Sequence, residues 1–368
     1  LLESCPFFLF IAWQRATAAL VMQVDSSSHP AASEAAAQSL MRPGHGWLRW
    51  LVGGLKLALM AVLCWFIYTA FASGRETLQD HTWTLEPAWL VFSGALYLAG
   101  MFPAAVYWYV VLVKAGQHVG FGESIRAYYI SQLGKYVPGK WMVILLRRTL
   151  LRDPRVETTV VAASVFFETL SMLAVGAAIS ALVLLVWHPR QQLLIATAVG
   201  SSLLLGIPTV PSVFQWLIHV LRVGKLNPTA GAKFRRLGAG TITIGWLSMA
   251  AGWLVQGMAL WATLRALSAT NAGPLGELSL HTTAVALGVV AGFLSQIPGG
   301  LAVREWVSGE LMVPQYGAAI GMISAVVFRL VLLVSELVIS TILYFGGWRR
   351  GTKPTARIEA ELTASGRS

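Results

Sequence analysis

The sequence predicts an all-α integral membrane protein, with about six full transmembrane helices plus two broken or re-entrant segments in an inverted-repeat arrangement. Three observations predict it. First, 56% of the 368 residues are hydrophobic and 12% charged, with mean hydropathy +0.66. A soluble domain carries about 25% charged residues, so a chain this apolar needs lipid as its solvent. Second, the basic residues cluster between long apolar runs, each long enough for the roughly 20 residues that cross a bilayer. Third, two similar Pro-Gly segments interrupt apolar stretches in the two halves of the chain. Fifteen Trp and nine Tyr suit a protein with many water–lipid interfaces.

Residues 1–47 read as a peripheral or disordered N-terminal segment. The apolar run from Leu1 to Ala12 is short and lacks the basic start of a signal peptide. The sequence opens on Leu1, with Met22 and Met41 as candidate starts. The transmembrane region is expected over 48–346. Its full spans are read at 48–71, 88–113, 157–187, 191–210, 241–267 and 317–345, with Pro208 and Pro211 breaking the end of the fourth and 212–221 lying along the interface. Two stretches are less simple. Residues 121–146 are interrupted by Arg126, Gly134-Lys135 and Pro138-Gly139-Lys140, and residues 281–313 by Pro298-Gly299-Gly300 and Arg304-Glu305. The tail, 347–368, carries Arg349, Arg350, Lys353 and Arg357 and reads as a basic, disordered cytoplasmic segment.

Lys and Arg in short loops set orientation. The loops at 147–155 and 222–236 and the tail are basic, whereas those at 73–87, 188–190 and 268–280 are poor in Lys and Arg. Six spans place every basic segment on one side. The expectation is a multi-pass protein of the cell (inner) membrane with both termini cytoplasmic. The net charge of +11 is distributed in these flanking clusters, which argues for the bilayer and against nucleic acid as the partner. Cys5 and Cys64 form neither a disulfide framework nor a zinc spacing. No His-Glu-x-x-His, nucleophile elbow, P-loop or dinucleotide fingerprint is present. Metalloprotease and ATP-driven pump readings therefore lose their main support, and no cofactor or metal is implied.

Two halves, about 88–187 and 241–346, each contain one interrupted segment. In the six-span topology the first enters from the cytoplasmic face and the second from the opposite face. A Pro-Gly break at membrane depth frees backbone groups that hydrocarbon cannot satisfy, so it must face protein or water. Paired breaks in corresponding positions point to a transport site; ordinary helix ends at the interface are the plainer explanation. Charges inside spans cost roughly 2.5–3.5 kcal/mol each and default to paired or functional positions. Glu168 lies near the middle of the third span, Arg329 near the middle of the last, and Glu336 seven residues further on the same helical face. Glu168 and Arg329 are expected to approach each other at the midplane, either lining a polar path with Glu336 or forming a structural salt bridge. Lys135 and Lys140 flank the first break and suit phosphate binding. Arg147 and Arg148 suit phosphate binding too, with positive-inside flanking charge the slightly favoured reading. Arg304 and Glu305 are expected to act as a unit at the outer mouth.

The run Gly134-Lys135-Tyr136-Val137-Pro138-Gly139-Lys140 with Arg147-Arg148, followed by Pro298-Gly299-Gly300-Leu301-Ala302-Val303-Arg304-Glu305, resembles the lysylphosphatidylglycerol synthase transmembrane-region family, also called flippase-like domain proteins. The resemblance covers about 48–346. Ala302 stands where the family's second motif usually has Gly, and Thr169 stands where the family commonly has Arg after the intramembrane Glu. Larger members join this region to a soluble aminoacyl-transfer domain, whereas only a short tail follows the last span here. The resemblance thus implies the flippase-like part without lipid aminoacylation, hence no enzyme. It implies a membrane-lipid substrate with an anionic headgroup, a phospholipid or polyprenyl-linked lipid. The candidate binding residues are Lys135, Tyr136, Pro138, Gly139, Lys140, Glu168, Pro298, Gly299, Gly300, Arg304, Glu305, Arg329 and Glu336. A non-transporting subunit, or a membrane enzyme of envelope lipid or glycan synthesis, is the alternative. A homo-oligomer or an envelope-synthesis partner stays open.

Overall fold

The computed structural model describes residues 85–136, 141–187, 189–220, 233–234, 237–295 and 297–348. These residues are helical with no strands. In chain order the helices are α1 (Pro87–Lys114), α2 (Phe121–Ser131), α3 (Trp141–Thr149), α4 (Thr158–Trp187), α5 (Gln192–Gly206), α6 (Pro211–Val220), α7 (Ala239–Ala266), α8 (Leu278–Leu294), α9 (Val303–Tyr316) and α10 (Ala318–Trp348). Short 3-10 turns lie at Gln132–Tyr136, Ile207–Thr209 and Pro298–Gly300. Five helices are long and apolar enough to cross a membrane: α1, α4, α5 with its 3-10 extension, α7 and α10. They match five of the six expected spans. The sixth, 48–71, lies outside the described residues, as do the N-terminal segment and the tail from 349 on, while 347–348 end α10.

The two interrupted stretches are not single spans. Each folds back as a helical hairpin. At 11 residues α2 is about 16 Å long, against a hydrocarbon core of about 30 Å. The 3-10 turn then reverses the chain, so that a Cβ on Gly134 would stand 2.9 Å from the Val143 amide nitrogen. In the second hairpin Ser308 donates to the Ala284 carbonyl at 2.8 Å, and a Cβ on Gly292 would meet Gly300 at 3.2 Å. α9 therefore runs back along α8. The reversal depends on positive φ at Gly299 (64°) and Gly300 (66°), which glycine adopts without a Cβ clash. Ala302, at φ 69°, has no such freedom.

Each half thus shows the same order: a long helix, a helical hairpin around a 3-10 turn, and another long helix. The halves meet along α1 and α7, which run antiparallel. Ser93 donates to the Ala259 carbonyl at 2.7 Å, and Gly100 lies against Gly252. Further along, Tyr107 fills the space over Gly245. A Cβ on Gly252 would stand 2.6 Å from the Gly100 carbonyl oxygen. Within lipid, helix association rests on such close backbone approach rather than on a hydrophobic drive. The inward stripe of α1, Tyr97, Met101, Ala104, Trp108 and Val111, has helical period and is buried. Outward residues such as Leu182, Leu193, Val334 and Ile342 are apolar and exposed, as a lipid-facing surface requires.

The first hairpin is wedged between the two halves. Tyr129 donates to the Leu98 carbonyl on α1 at 2.7 Å, and Arg126 donates to the Leu343 carbonyl on α10 at 3.0 Å. This wedge brings the two 3-10 turns together in the interior.

Candidate functional site

A cavity of about 530 Å³ lies where the turns meet, lined by α1, α2, α3, α4, α7, α8, α9 and α10 and by the 3-10 turns at Gln132–Tyr136 and Pro298–Gly300. Much of its wall is apolar, including Met101, Phe166, Leu173, Trp253 and Phe293. The polar part carries Lys135, Arg147, Arg304 and Arg329 with one carboxylate, Glu168. Three ion-pair clusters surround it.

In the first half Arg147 Nη1 donates to Glu168 Oε2 at 3.1 Å, and both side chains are 2% exposed. Tyr128 Oη donates to Glu168 Oε1 at 3.1 Å, and Arg147 Nε donates to Ser131 Oγ at 3.1 Å. The guanidinium lies 4.6 Å from the ring centroid of Trp108 and 4.3 Å from that of Tyr128. Ionic, hydrogen-bond and cation–π contacts together satisfy a charge that burial would otherwise make prohibitive.

In the second half the polarity is reversed. The short helix α9 supplies the acid, Glu305, and the long helix α10 supplies the base, Arg329, at 3.4 Å. Arg329 Nη2 also donates to the Gly299 carbonyl at 2.7 Å, and its guanidinium lies 5.2 Å from the Tyr136 ring centroid. The Glu305 oxygens and Arg329 Nη1 are buried without a hydrogen-bond partner. Between the halves, Glu336 is fully buried and accepts from Lys135, Tyr97 and Tyr136, the last at 2.9 Å. Glu336 thereby ties the first break to the last helix.

Of the expected site residues, Lys135, Tyr136, Glu168, Gly299, Gly300, Arg304 and Arg329 converge on this one cavity region, with Glu305 and Glu336 behind it. Pro298 begins the second 3-10 turn. Pro138, Gly139 and Lys140 lie outside the described residues. Three expectations need correction. Glu168 does not pair with Arg329: Arg147 and Tyr128 occupy both its oxygens, while Arg329 turns to Glu305 and Gly299. Each of these two charges takes its partner from the hairpin of its own half, and the pair that crosses the halves is Lys135 with Glu336. Arg147 is not a flanking charge, being buried, whereas Arg148 does stay at the surface and donates to the Pro154 carbonyl. Nor do Arg304 and Glu305 form a unit. Neighbours on a helix point about 100° apart, so Glu305 meets Arg329 while Arg304 faces the cavity.

Sequence reasoning missed Tyr97, Tyr128, Gln132 and Gln256. The inward period of α1 was the available signal for Tyr97. Nothing local marks Gln256, which reaches the cavity from α7, whereas Gln132 opens the 3-10 turn just ahead of the Gly134-Lys135 motif.

Residues 53–340 match the model of the family described as the Lysylphosphatidylglycerol synthase TM region. The chain belongs to that family. The match covers both hairpins, all three ion-pair clusters and the cavity, and agrees with the resemblance carried by the two motifs. A comparison with curated proteins gives no match. The family description is of a transmembrane region, and it brings no catalytic domain with it. A Lysylphosphatidylglycerol synthase TM region with these five long apolar helices is a multi-pass membrane protein.

Proposed function

We propose that this protein moves a phosphate-bearing lipid, a phospholipid or a polyprenyl-linked lipid, between the leaflets of the cell (inner) membrane, with both termini cytoplasmic. The observation that carries the reading is an unbalanced charge. Arg304 lines the cavity and makes no ion pair among the described residues, while the other three cavity cations each have a carboxylate. A guanidinium with no direct ion pair in a largely apolar cavity is costly until an anion arrives, and guanidinium matches phosphate with a two-point fork.

The surrounding structure suits movement of such a group. The repeated element order and the antiparallel α1–α7 seam support halves of inverted topology, the arrangement in which a midplane site opens alternately to either face. Glu168–Arg147 and Glu305–Arg329 each pin a hairpin to the long helix of its own half. A phosphate held by Arg304 competes with Glu305 for Arg329, and so loosens the second hairpin in response to substrate. The apolar cavity wall accepts the first carbons of the lipid chains while the headgroup occupies the polar end.

Reconstitution into liposomes with acyl-labelled lipids tests this. Protein-dependent exchange of phosphate lipids between leaflets is expected. A protein that retains such lipids without moving them would instead be a non-transporting subunit.

A further inference from the structure

Among the described residues three buried carboxylates surround the cavity, Glu168, Glu305 and Glu336, and Glu305 has the weakest support. Glu168 accepts from Arg147 and Tyr128, and Glu336 from Lys135, Tyr97 and Tyr136. Each keeps a tyrosine donor when its cation is drawn away. Glu305 does not. Both its oxygens are buried without a hydrogen-bond partner, and its contact with Arg329 Nε, at 3.4 Å, is an ion pair alone. Arg329 lines the cavity and has Nη1 without a hydrogen-bond partner, so an anion there reaches it directly. The other charged groups nearby offer Glu305 no substitute. Arg304, next to it on α9, interacts with it electrostatically but faces the cavity, where the same anion neutralises it. Glu310, also on α9, is exposed. On α10 the next charge after Arg329 is Glu336, itself an acid, and its donors Lys135 and Tyr136 are the titratable groups of the first 3-10 turn. The titratable side chain of α8 is His281, which meets Tyr316 at the far end of the hairpin.

Resting on the translocation reading, we propose that Glu305 is a proton site coupled to the substrate: a phosphate headgroup takes Arg329, and Glu305 takes a proton from water. A buried ion stripped of its partner is costly, and a carboxylate escapes that cost as the neutral acid. The carboxylate and a proton combine to the carboxylic acid. No bond of the lipid changes, and nothing is oxidised or reduced. A phosphodiester headgroup brings a single negative charge and the proton a single positive one, so the loaded cavity carries the charge of the empty one. Release reverses both events: Arg329 returns to Glu305 and the proton leaves. Headgroup and proton thus enter together, which ties lipid movement to a proton gradient and gives the second hairpin a protonated, unlatched state.

The test counts protons as lipid binds. Detergent-purified full-length protein, in weak buffer near neutral pH with an indicator dye, is titrated with short-chain phosphatidylglycerol, and retained lipid is counted by native mass spectrometry. Uptake of about one proton per retained lipid is expected from the unaltered protein, and none with diacylglycerol of the same chains, which lacks the phosphate. Glu305→Gln should retain phosphatidylglycerol and take up no proton. Calorimetry of the unaltered protein in two buffers of different ionisation enthalpy gives the same count without any variant. Retention without proton uptake by the unaltered protein overturns the proposal, as does undiminished uptake by Glu305→Gln or equal uptake with diacylglycerol. Failure to retain phosphatidylglycerol overturns it too. Coupled uptake with no leaflet exchange in liposomes would leave the proton site standing and remove the translocation reading. Leaflet exchange without coupled uptake would do the reverse.

Discussion

Replacing Glu168 by Gln strips the negative charge from beside Arg147 and leaves a guanidinium that is 2% exposed without its counter-ion. Removing one partner of such a pair costs about 3–5 kcal/mol. Two compensations stay in place: the Trp108 and Tyr128 rings, 4.6 and 4.3 Å from the guanidinium, and the Ser131 hydroxyl at 3.1 Å. A glutamine carbonyl also keeps a neutral hydrogen bond. The lower end, about 3 kcal/mol, is therefore expected for Glu168→Gln, and a similar loss for Arg147→Met, which strands the carboxylate instead. The double variant Glu168→Gln/Arg147→Met strands neither, and should be clearly more stable than the sum of the two losses implies, by about 2 kcal/mol or more. Unfolding of the purified protein by increasing SDS in mixed micelles, followed by tryptophan fluorescence, supplies the four midpoints of the cycle. The same cycle on Glu168 and Arg329 should be additive within about 0.5 kcal/mol, the limit for groups that do not share a partner. Additivity between Glu168 and Arg147, or strong coupling between Glu168 and Arg329, would refute the reasoning that Glu168 and Arg329 are each neutralised by the hairpin of their own half.

Three further outcomes follow from the geometry. Ala302→Gly should stabilise the protein by about 1 kcal/mol, because φ 69° is strained for alanine and free for glycine; an unchanged or lowered thermal midpoint in detergent would contradict it. Gly252→Val should cost about 3 kcal/mol or prevent insertion, since its Cβ would stand 2.6 Å from the Gly100 carbonyl oxygen; wild-type yield and midpoint would remove the α1–α7 seam from the account. With Cys5 and Cys64 replaced by Ser, cysteines at Arg152 and at Asn271, both exposed, should react with an impermeant maleimide from opposite sides of the membrane, and labelling from one side would overturn the topology.

Sequence and structure agree where the signal is a long apolar period. α1, α4, α7 and α10 each lie within a few residues of their expected bounds, because a span must bury about 20 apolar residues whatever its neighbours do. The second break was also legible, since Pro298-Gly299-Gly300 falls where the 3-10 turn between α8 and α9 lies. What the sequence left open was the partner of each buried charge. Glu168 and Arg329 are both visible as expensive residues, and opposite signs at corresponding depths suggested that they pair. The partner of Glu168 is decided instead by the first hairpin, whose reversal swings Arg147 from an apparent flanking position into the interior. Arg147 and Arg148 differ only in helical angle, and a nine-residue helix after an irregular turn gives no firm phase from sequence alone. Arg304 and Glu305 were grouped for the same reason. Their separation follows from the turn through Gly299, Gly300 and Ala302, which sets the rotation at which α9 starts. Ala302 shows the converse case. The departure from the family's usual glycine was readable, and its meaning came only with the positive φ.

The account's central claim is that a phosphate headgroup crosses the membrane through this cavity, held by Arg304. The most direct measurement is leaflet exchange of acyl-labelled phosphatidylglycerol in proteoliposomes, read as the fraction quenched from outside over time, for the unaltered protein, Arg304→Lys, Arg304→Ala and protein-free vesicles. Faster exchange than in empty vesicles is expected for the unaltered protein, partial activity for Arg304→Lys because an ammonium lacks the planar fork, and the empty-vesicle rate for Arg304→Ala. Exchange by Arg304→Ala at the unaltered rate would contradict the claim.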